Sequence, residues 1–191
     1  MRLFVAVNLP AEERRRAWAA AAPLRSASLP VRWVSEEALH LTLRFLGEVA
    51  EEQSGPIAEA LAAAVRRGGA RPFPLALGGV GAFPDVARPR VVWLGAERHP
   101  ALELLANDVE NALRAFAFEP ELRPFNPHLT LGRVERGARP AAFRDFARLA
   151  AAVGYEGVIT VESVDLMHST LGPSGASYRV LARAPLAAGA P

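Results

Sequence analysis

The tetrapeptide His-Leu-Thr-Leu occurs twice in this chain, at residues 40–43 and again at residues 128–131. Successive side chains of a β-strand point to opposite faces, so His and Thr two positions apart share one face and the leucines share the other. Each copy therefore predicts a strand that buries its leucines in a core and presents an imidazole and a hydroxyl side by side. Two such strands facing each other would place two imidazoles and two hydroxyls around one space. That set of groups suits proton transfer to and from a phosphate ester without a metal ion.

A third segment, His168-Ser169-Thr170-Leu171, also fits the pattern His-x-Thr-Leu. It is followed at once by Gly172-Pro173, which ends a strand, whereas the other two copies have apolar neighbours on a continuing strand. We therefore interpret His168 as a strand-end residue outside the site. The alternative is a metallohydrolase that binds its metal through three imidazoles, those of His40, His128 and His168.

The composition narrows the chemistry further. The chain has no Cys, which excludes disulfides, thiol catalysis and cysteine metal ligands. All 22 basic residues are Arg, so the pI is high although the net charge is only +2, and the high pI does not indicate a general nucleic-acid binder. Any cation that meets a phosphate is consequently a planar guanidinium. The chain shows no signal peptide and no apolar run near the roughly 18–20 residues of a membrane helix, so we expect a soluble, cytoplasmic protein without a membrane partner.

The apolar periodicity predicts strands alternating with helices. The predicted fold class is α+β, with two pseudo-symmetric lobes of mainly antiparallel sheet, helices outside, and an active-site cleft between the lobes. The whole chain, residues 1–191, is predicted to be a single bilobal domain. The predicted strands cover residues 2–8, 31–34, 39–45, 73–79, 90–95, 128–134, 156–168 and 177–184, and the predicted helices cover residues 11–22, 51–67, 100–116 and 140–151.

Two arginines near the motifs are candidate phosphate ligands. Arg44 continues the series His40, Thr42, Arg44 on one face, which predicts a phosphate contact; the alternative is an arginine that leaves the sheet edge for solvent. Arg133 lies on the face opposite His128 by strict alternation, unless Gly132 permits a bulge.

Other candidates are weaker. Phe45 and Tyr178 could stack a base, although core packing is the alternative for both. The glycines around residues 78–81 do not complete a Gly-x-Gly-x-x-Gly pattern, and Pro84 argues against a following helix, so a phosphate-binding loop is not predicted there.

Paired His-x-Thr-x motifs on opposed strands resemble those of the 2H phosphoesterases. The resemblance is closest to the RNA 2′,3′-cyclic phosphodiesterase branch, historically called 2′–5′ RNA ligase, and it spans nearly the whole chain. The blocks that carry it are residues 1–6 (Met-Arg-Leu-Phe-Val-Ala), 39–49 around the first motif, 91–95 (Val-Val-Trp-Leu-Gly), 123–134 around the second motif, and 169–178.

The resemblance implies a metal-independent and cofactor-free hydrolase that opens RNA ends or nucleotides bearing a 2′,3′-cyclic phosphate. No apolar stripe in the sequence indicates an obligatory protein partner. The resemblance further implies that His40 donates a proton to the 3′ oxygen and that His128 accepts one from water, leaving a 2′-phosphomonoester. It also implies a reversible ligation, in which a ribose 5′-hydroxyl attacks the cyclic phosphate in place of water and the RNA ends are joined through a 2′–5′ bond. It also favours Arg133 as a substrate ligand and implies that His168 is not a third motif.

The strand period itself places the hydroxyls of Thr42 and Thr130 to donate to the nonbridging phosphate oxygens. A module that binds nucleotides or RNA without catalysis is the other alternative. Two intact His and Thr pairs argue against it, because a pure binder has no use for two titrating groups.

Overall fold

The computed structural model describes residues 1–172 and 175–187, and within these ranges nine strands form one sheet. Every strand pairing in it is antiparallel, and the order is β7-β4-β5-β6-β3-β1-β8-β9, with the short β2 paired to β6. The strands are β1 (Arg2–Asn8), β2 (Val31–Trp33), β3 (His40–Glu48), β4 (Phe73–Phe83), β5 (Val91–Ala96), β6 (His128–Val134), β7 (Glu156–Val161), β8 (Ser163–Gly172) and β9 (Gly175–Pro185).

The helices share one hydrophobic core with a single face of the sheet. Leu3, Val5, Leu41 and Leu129 supply the sheet side of this core, and buried residues of every helix pack onto the same cluster. The chain prefers helix in these segments because they are rich in alanine, leucine and arginine. The helices are α1 (Ala11–Ala20), α2 (Ala22–Ser26), α3 (Ser54–Gly68), α4 (Pro100–Leu113) and α5 (Phe146–Ala151). Within the described ranges, no helix is both long and apolar enough to cross a membrane.

The fold confirms the predicted α+β class with an antiparallel sheet and helices outside. The two halves expected as lobes are contiguous: β6, β5, β4 and β7 form one half, β3, β1, β8 and β9 form the other, and β3 and β6 meet in the middle. β3 is joined to β6 by the residue pair Leu41 and Leu129 alone. Further along the same edge of β6, β2 replaces β3 as its partner. The predicted cleft between the two halves falls at this junction, and the face of the sheet that carries the two histidines is named the cleft face.

One predicted strand, residues 156–168, proves to be two. Residues 156–161 form β7 at one end of the sheet, residues 163–172 form β8 beside β1, and only the exposed Glu162 separates them. A single residue can connect such distant positions only because the sheet curls and brings its two ends together. No glycine or proline marks the crossing, which is why the sequence reads as one continuous strand.

Candidate active site

The pairing of β3 with β6 brings the two motifs together. Leu41 lies directly opposite Leu129 in the antiparallel register, and both are fully buried. Continuing that register by one residue on either side sets His40 next to Thr130, and Thr42 next to His128. All four of these side chains are partly exposed on the face of the sheet opposite the helices. Across the junction of β3 and β6, each imidazole therefore lies beside the threonine of the other motif.

The Nδ1 atoms of the two histidines are held in the same way. His40 Nδ1 lies 2.8 Å from the carbonyl oxygen of Ala38, and His128 Nδ1 lies 2.7 Å from the carbonyl oxygen of Asn126. A carbonyl oxygen can only accept, so in both rings Nδ1 carries the hydrogen and Nε2 is left with its lone pair. In the second motif, Pro124 and Pro127 flank the segment that supplies this carbonyl and hold its backbone extended. Both rings thus present the same nitrogen for chemistry.

A β-bulge follows the threonine of the first motif. Thr42 pairs with Ala6 and Arg44 with the adjacent Val5, so Leu43 is an extra residue and Arg44 turns to the helix side of the sheet. There Arg44 Nε lies 2.9 Å from Glu110 Oε2 on α4, and Arg44 Nη2 donates to the carbonyl oxygen of Glu119. The expectation that Arg44 contacts the phosphate from the His40 face is therefore corrected. Strict alternation predicts the wrong face for Arg44 because Leu43 has no partner on β1, so Thr42 and Arg44 pair with adjacent residues of β1 and point to opposite faces.

The second motif has the same bulge, with the opposite consequence. Trp93 pairs with Thr130 and Val92 with Gly132, so Leu131 is the extra residue and Arg133 returns to the face of His128. A Cβ atom at Gly132 would collide with Val31, which shows that this position faces the core. The structure thus places Arg133 beside the histidines, the outcome that a bulge near Gly132 was expected to allow.

Burial and positive charge keep both imidazoles neutral at pH 7. Burial lowers the pKa of His40 to about 4, against a hydrogen bond to Ala38 that raises it, and the charges of His128 and Arg133 lower it further. Burial also lowers the pKa of His128, and Arg133 again contributes by its charge. The guanidinium of Arg133 is therefore near enough to both rings to affect them electrostatically.

Aromatic rings lie beside the histidine of each motif. The ring centroids of Phe4 and His40 are 4.7 Å apart, and the Tyr178 ring stands edge-on to both of these rings. In the other half, Phe83 stands edge-on to His128, with 4.9 Å between ring centroids. Tyr178 packs against the histidine, whereas Phe45 is 56% exposed. No signal in the sequence singles out Phe4 or Phe83, which look like ordinary core residues.

A polar cluster lies behind His40 in the first half of the sheet. Asn8 is the backbone partner of His40, and its Nδ2 donates to Asp165 Oδ2 at 2.7 Å. Asp165 is fully buried and also accepts hydrogen bonds from Ser163 and Arg183. This network ties β1, β8 and β9 together next to the first motif.

His168 does not join the other two histidines. It pairs with Leu3 on β1, so it lies on the face opposite His40, and its Nδ1 accepts a hydrogen bond from Arg179 Nε at 3.3 Å. Among the residues that the structure describes, no three His, Cys, Asp or Glu side chains are grouped so as to hold a metal ion. The glycines near residue 80 belong to β4, which is followed by another strand instead of a helix.

Comparison with known proteins identifies the family of this chain. The sequence model of the 2′-5′ RNA ligase superfamily matches residues 13–173. A protein of Archaeoglobus fulgidus named RNA 2′,3′-cyclic phosphodiesterase is 38% identical over 181 residues, which is 95% of this chain and 98% of that one.

Two solved structures share the whole fold. The protein TT0787 of Thermus thermophilus superposes with a TM-score of 0.75 at 32% identity and covers 97% of this chain and 98% of its own. Escherichia coli LigT complexed with 3′-AMP superposes with a TM-score of 0.72 at 32% identity, with 97% of each chain covered. The chain therefore belongs to the 2′-5′ RNA ligase superfamily of 2H phosphoesterases, alongside the proteins named RNA 2′,3′-cyclic phosphodiesterase.

Proposed function

We propose that this protein opens 2′,3′-cyclic phosphate ends of RNA to 2′-phosphomonoesters by metal-independent acid–base catalysis. The observation that carries the proposal is the matched pair of imidazoles. Both are held at Nδ1 by the carbonyl oxygen two residues earlier, and each is next to the threonine of the opposite motif. Support for a nucleotide substrate comes from LigT, which has been crystallised with 3′-AMP.

The reaction requires one proton to leave the attacking water and another to reach the departing ribose oxygen. His128 Nε2 accepts the proton of the water as its oxygen bonds to phosphorus, and His40 Nε2 donates a proton to O3′ as the P–O3′ bond breaks. Charge then accumulates on the nonbridging oxygens. The hydroxyls of Thr42 and Thr130 donate hydrogen bonds to them, and the guanidinium of Arg133 neutralises the excess negative charge.

His40 needs its proton before this step, although its pKa of about 4 leaves the ring neutral in the free protein at pH 7. The phosphodiester carries a negative charge, and a negative charge beside a buried imidazole raises its pKa. Substrate binding therefore favours the protonated form of His40 in the complex. The same two histidines would also serve a ribose 5′-hydroxyl in place of water, and that reaction would form a 2′–5′ linkage.

The proposal is tested by hydrolysis of a 2′,3′-cyclic-phosphate-ended RNA in excess chelator, with the phosphate position of the product determined by phosphorus NMR. We expect a 2′-phosphate product, and a rate about 10²–10⁴ lower for His40→Ala and for His128→Ala. His168→Ala is the matched control, because His168 lies on the other face of the sheet and its loss should leave the rate unchanged.

Two results would contradict this mechanism. Loss of activity in chelator together with loss in His168→Ala would favour the three-histidine metallohydrolase. Tight binding of the cyclic end without turnover would favour a binding module.

A further inference from the structure

Two arginines lie directly opposite each other on the cleft face, one from each of two neighbouring strands. Arg32 of β2 is the cross-strand partner of Arg133 of β6. Cross-strand partners point to the same face, so the Arg32 side chain shares the face of Arg133 and of the two histidines. The burial pattern of β2 agrees, because Val31 is buried in the core and Arg32 is exposed.

Like charges at opposed cross-strand positions destabilise a sheet unless something of opposite charge lies between them. In the described part of the chain, no carboxylate lies within ion-pair distance of Arg32 or Arg133, whereas Arg44, Arg98 and Arg183 each have one. Both guanidiniums are therefore open to an anion from outside the protein, and both face the catalytic cleft.

The first motif offers no second cation at the corresponding place. Phe45 follows the bulge of β3 as Arg133 follows the bulge of β6, so the equivalent position holds an aromatic ring. The position after the bulge is therefore charged in the second motif and uncharged in the first. A strand of RNA that extends from the reacting phosphate would find a cation for its next phosphate beside the second motif.

We propose that Arg32 binds the 5′-phosphate of the nucleotide that carries the cyclic end, while Arg133 serves the reacting phosphate. The proposal rests on the function proposed above and names the residue that would favour an RNA strand over a free nucleoside with a 2′,3′-cyclic phosphate. The two phosphates of such a nucleotide are separated by one ribose. The two side chains start from cross-strand positions about 5 Å apart and are long enough to diverge toward two such groups.

The probe is adenosine 2′,3′-cyclic phosphate, compared with the same compound carrying a 5′-phosphate. We expect the native protein to favour the 5′-phosphorylated compound about three- to tenfold in kcat/KM at low ionic strength, as fits a partly exposed guanidinium–phosphate contact. In Arg32→Gln the ratio of the two kcat/KM values should fall toward one. Arg66→Gln, which removes an exposed arginine at the end of α3, should retain the native ratio.

A native ratio of one, or an Arg32→Gln ratio equal to the native one, would overturn the assignment of Arg32 while leaving the hydrolase intact. Failure to hydrolyse either compound, together with failure to hydrolyse a cyclic-phosphate-ended RNA, would instead count against the proposed function. In that event, calorimetric binding of adenosine 2′-phosphate and adenosine 2′,5′-bisphosphate decides the role of Arg32 without turnover. Tighter binding of the bisphosphate that Arg32→Gln abolishes supports the proposal, and equal binding of the two refutes it.

Discussion

At the scale of single residues, the proposed mechanism depends on the proton balance between His40 and His128. Burial and the charge of Arg133 lower the pKa of both rings, so neither holds a proton in the free protein at pH 7. Catalysis by one acid and one base needs a single proton shared by the pair. That singly protonated state is populated between the two apparent pKa values of the coupled pair.

We therefore expect kcat/KM, which reports the free protein, to follow a bell-shaped curve with its maximum below pH 6.5. Arg133 lowers both pKa values, so Arg133→Gln should move both limbs of the curve to higher pH and also reduce its maximum. Arg133→Lys keeps the positive charge and should leave the limbs close to their native positions. A curve with its maximum above pH 7, or limbs that do not move in Arg133→Gln, would contradict this account of the pair.

At the scale of elements, the two bulges decide which side chains reach the cleft. Strand β6 was predicted with its observed bounds, because Pro127 precedes it and the alternation of His, Leu, Thr and Leu is clear. The four motif residues could be placed for the same reason. Beyond each threonine the alternation no longer holds, and Arg44 and Arg133 exchange the faces that alternation predicts.

A bulge depends on how one strand fits its partner, and only part of that information is local. Gly132 offered a hint of irregularity in the second motif, but nothing around Leu43 marks the first bulge. Arg32 could not be singled out from the sequence for a similar reason. Arg32 lies opposite Arg133 only because β2 pairs with β6, a strand about one hundred residues away in the chain.

Arg44 now has a different predicted role, which is to anchor the segment that leads into the second motif. Its side chain is 11% exposed and contacts Glu110, the carbonyl of Glu119 and, at 3.9 Å, Glu121. We expect Arg44→Gln to lower the free energy of unfolding by about 1–3 kcal/mol, because it leaves a partly buried carboxylate without its partner. Amide hydrogen exchange should also quicken in residues 119–127.

The control is Arg98→Gln. It removes an ion pair with Glu103 in which both side chains are well exposed, and it should cost about 1 kcal/mol or less. Urea denaturation of the two variants measures the difference. Equal unfolding free energies, with no change in exchange over residues 119–127, would rule out the anchoring role.

At the scale of the whole molecule, the two partly buried histidines link global stability to pH. A histidine whose pKa is lower in the folded protein than in the unfolded chain favours the folded state above pH 6.5, and this contribution is lost as the pH falls. For His40 the loss extends from about pH 6.5 to its folded pKa of about 4. Carboxylates affect stability at lower pH than the histidines do. The hydrogen bond from Arg123 lowers the pKa of Glu121 to about 2, so the contribution of Glu121 to stability is lost only below about pH 4.3.

We expect the free energy of unfolding to decrease by up to about 3 kcal/mol between pH 7.5 and pH 4.5 because of His40, with a further contribution from His128. His40→Gln cannot be protonated, so it should show a clearly smaller decrease over the same range. Chemical denaturation at the two pH values measures both quantities. The same decrease in His40→Gln as in the native protein would show that other groups control acid stability.

Phe45 and Arg133 occupy corresponding positions after the two bulges, and this difference between the halves bears on which ribose oxygen departs. Two halves identical in every side chain would accept a cyclic phosphate in two orientations related by a half-turn, and either ribose oxygen could then depart. The histidines and threonines are symmetric and cannot remove this degeneracy. The aromatic ring on one side and the guanidinium on the other can remove it. An aromatic ring suits the base, whereas a guanidinium suits the phosphate. In the proposed mechanism, the residues after the bulges would therefore select between the 2′- and 3′-phosphate products, while the histidines would transfer the protons.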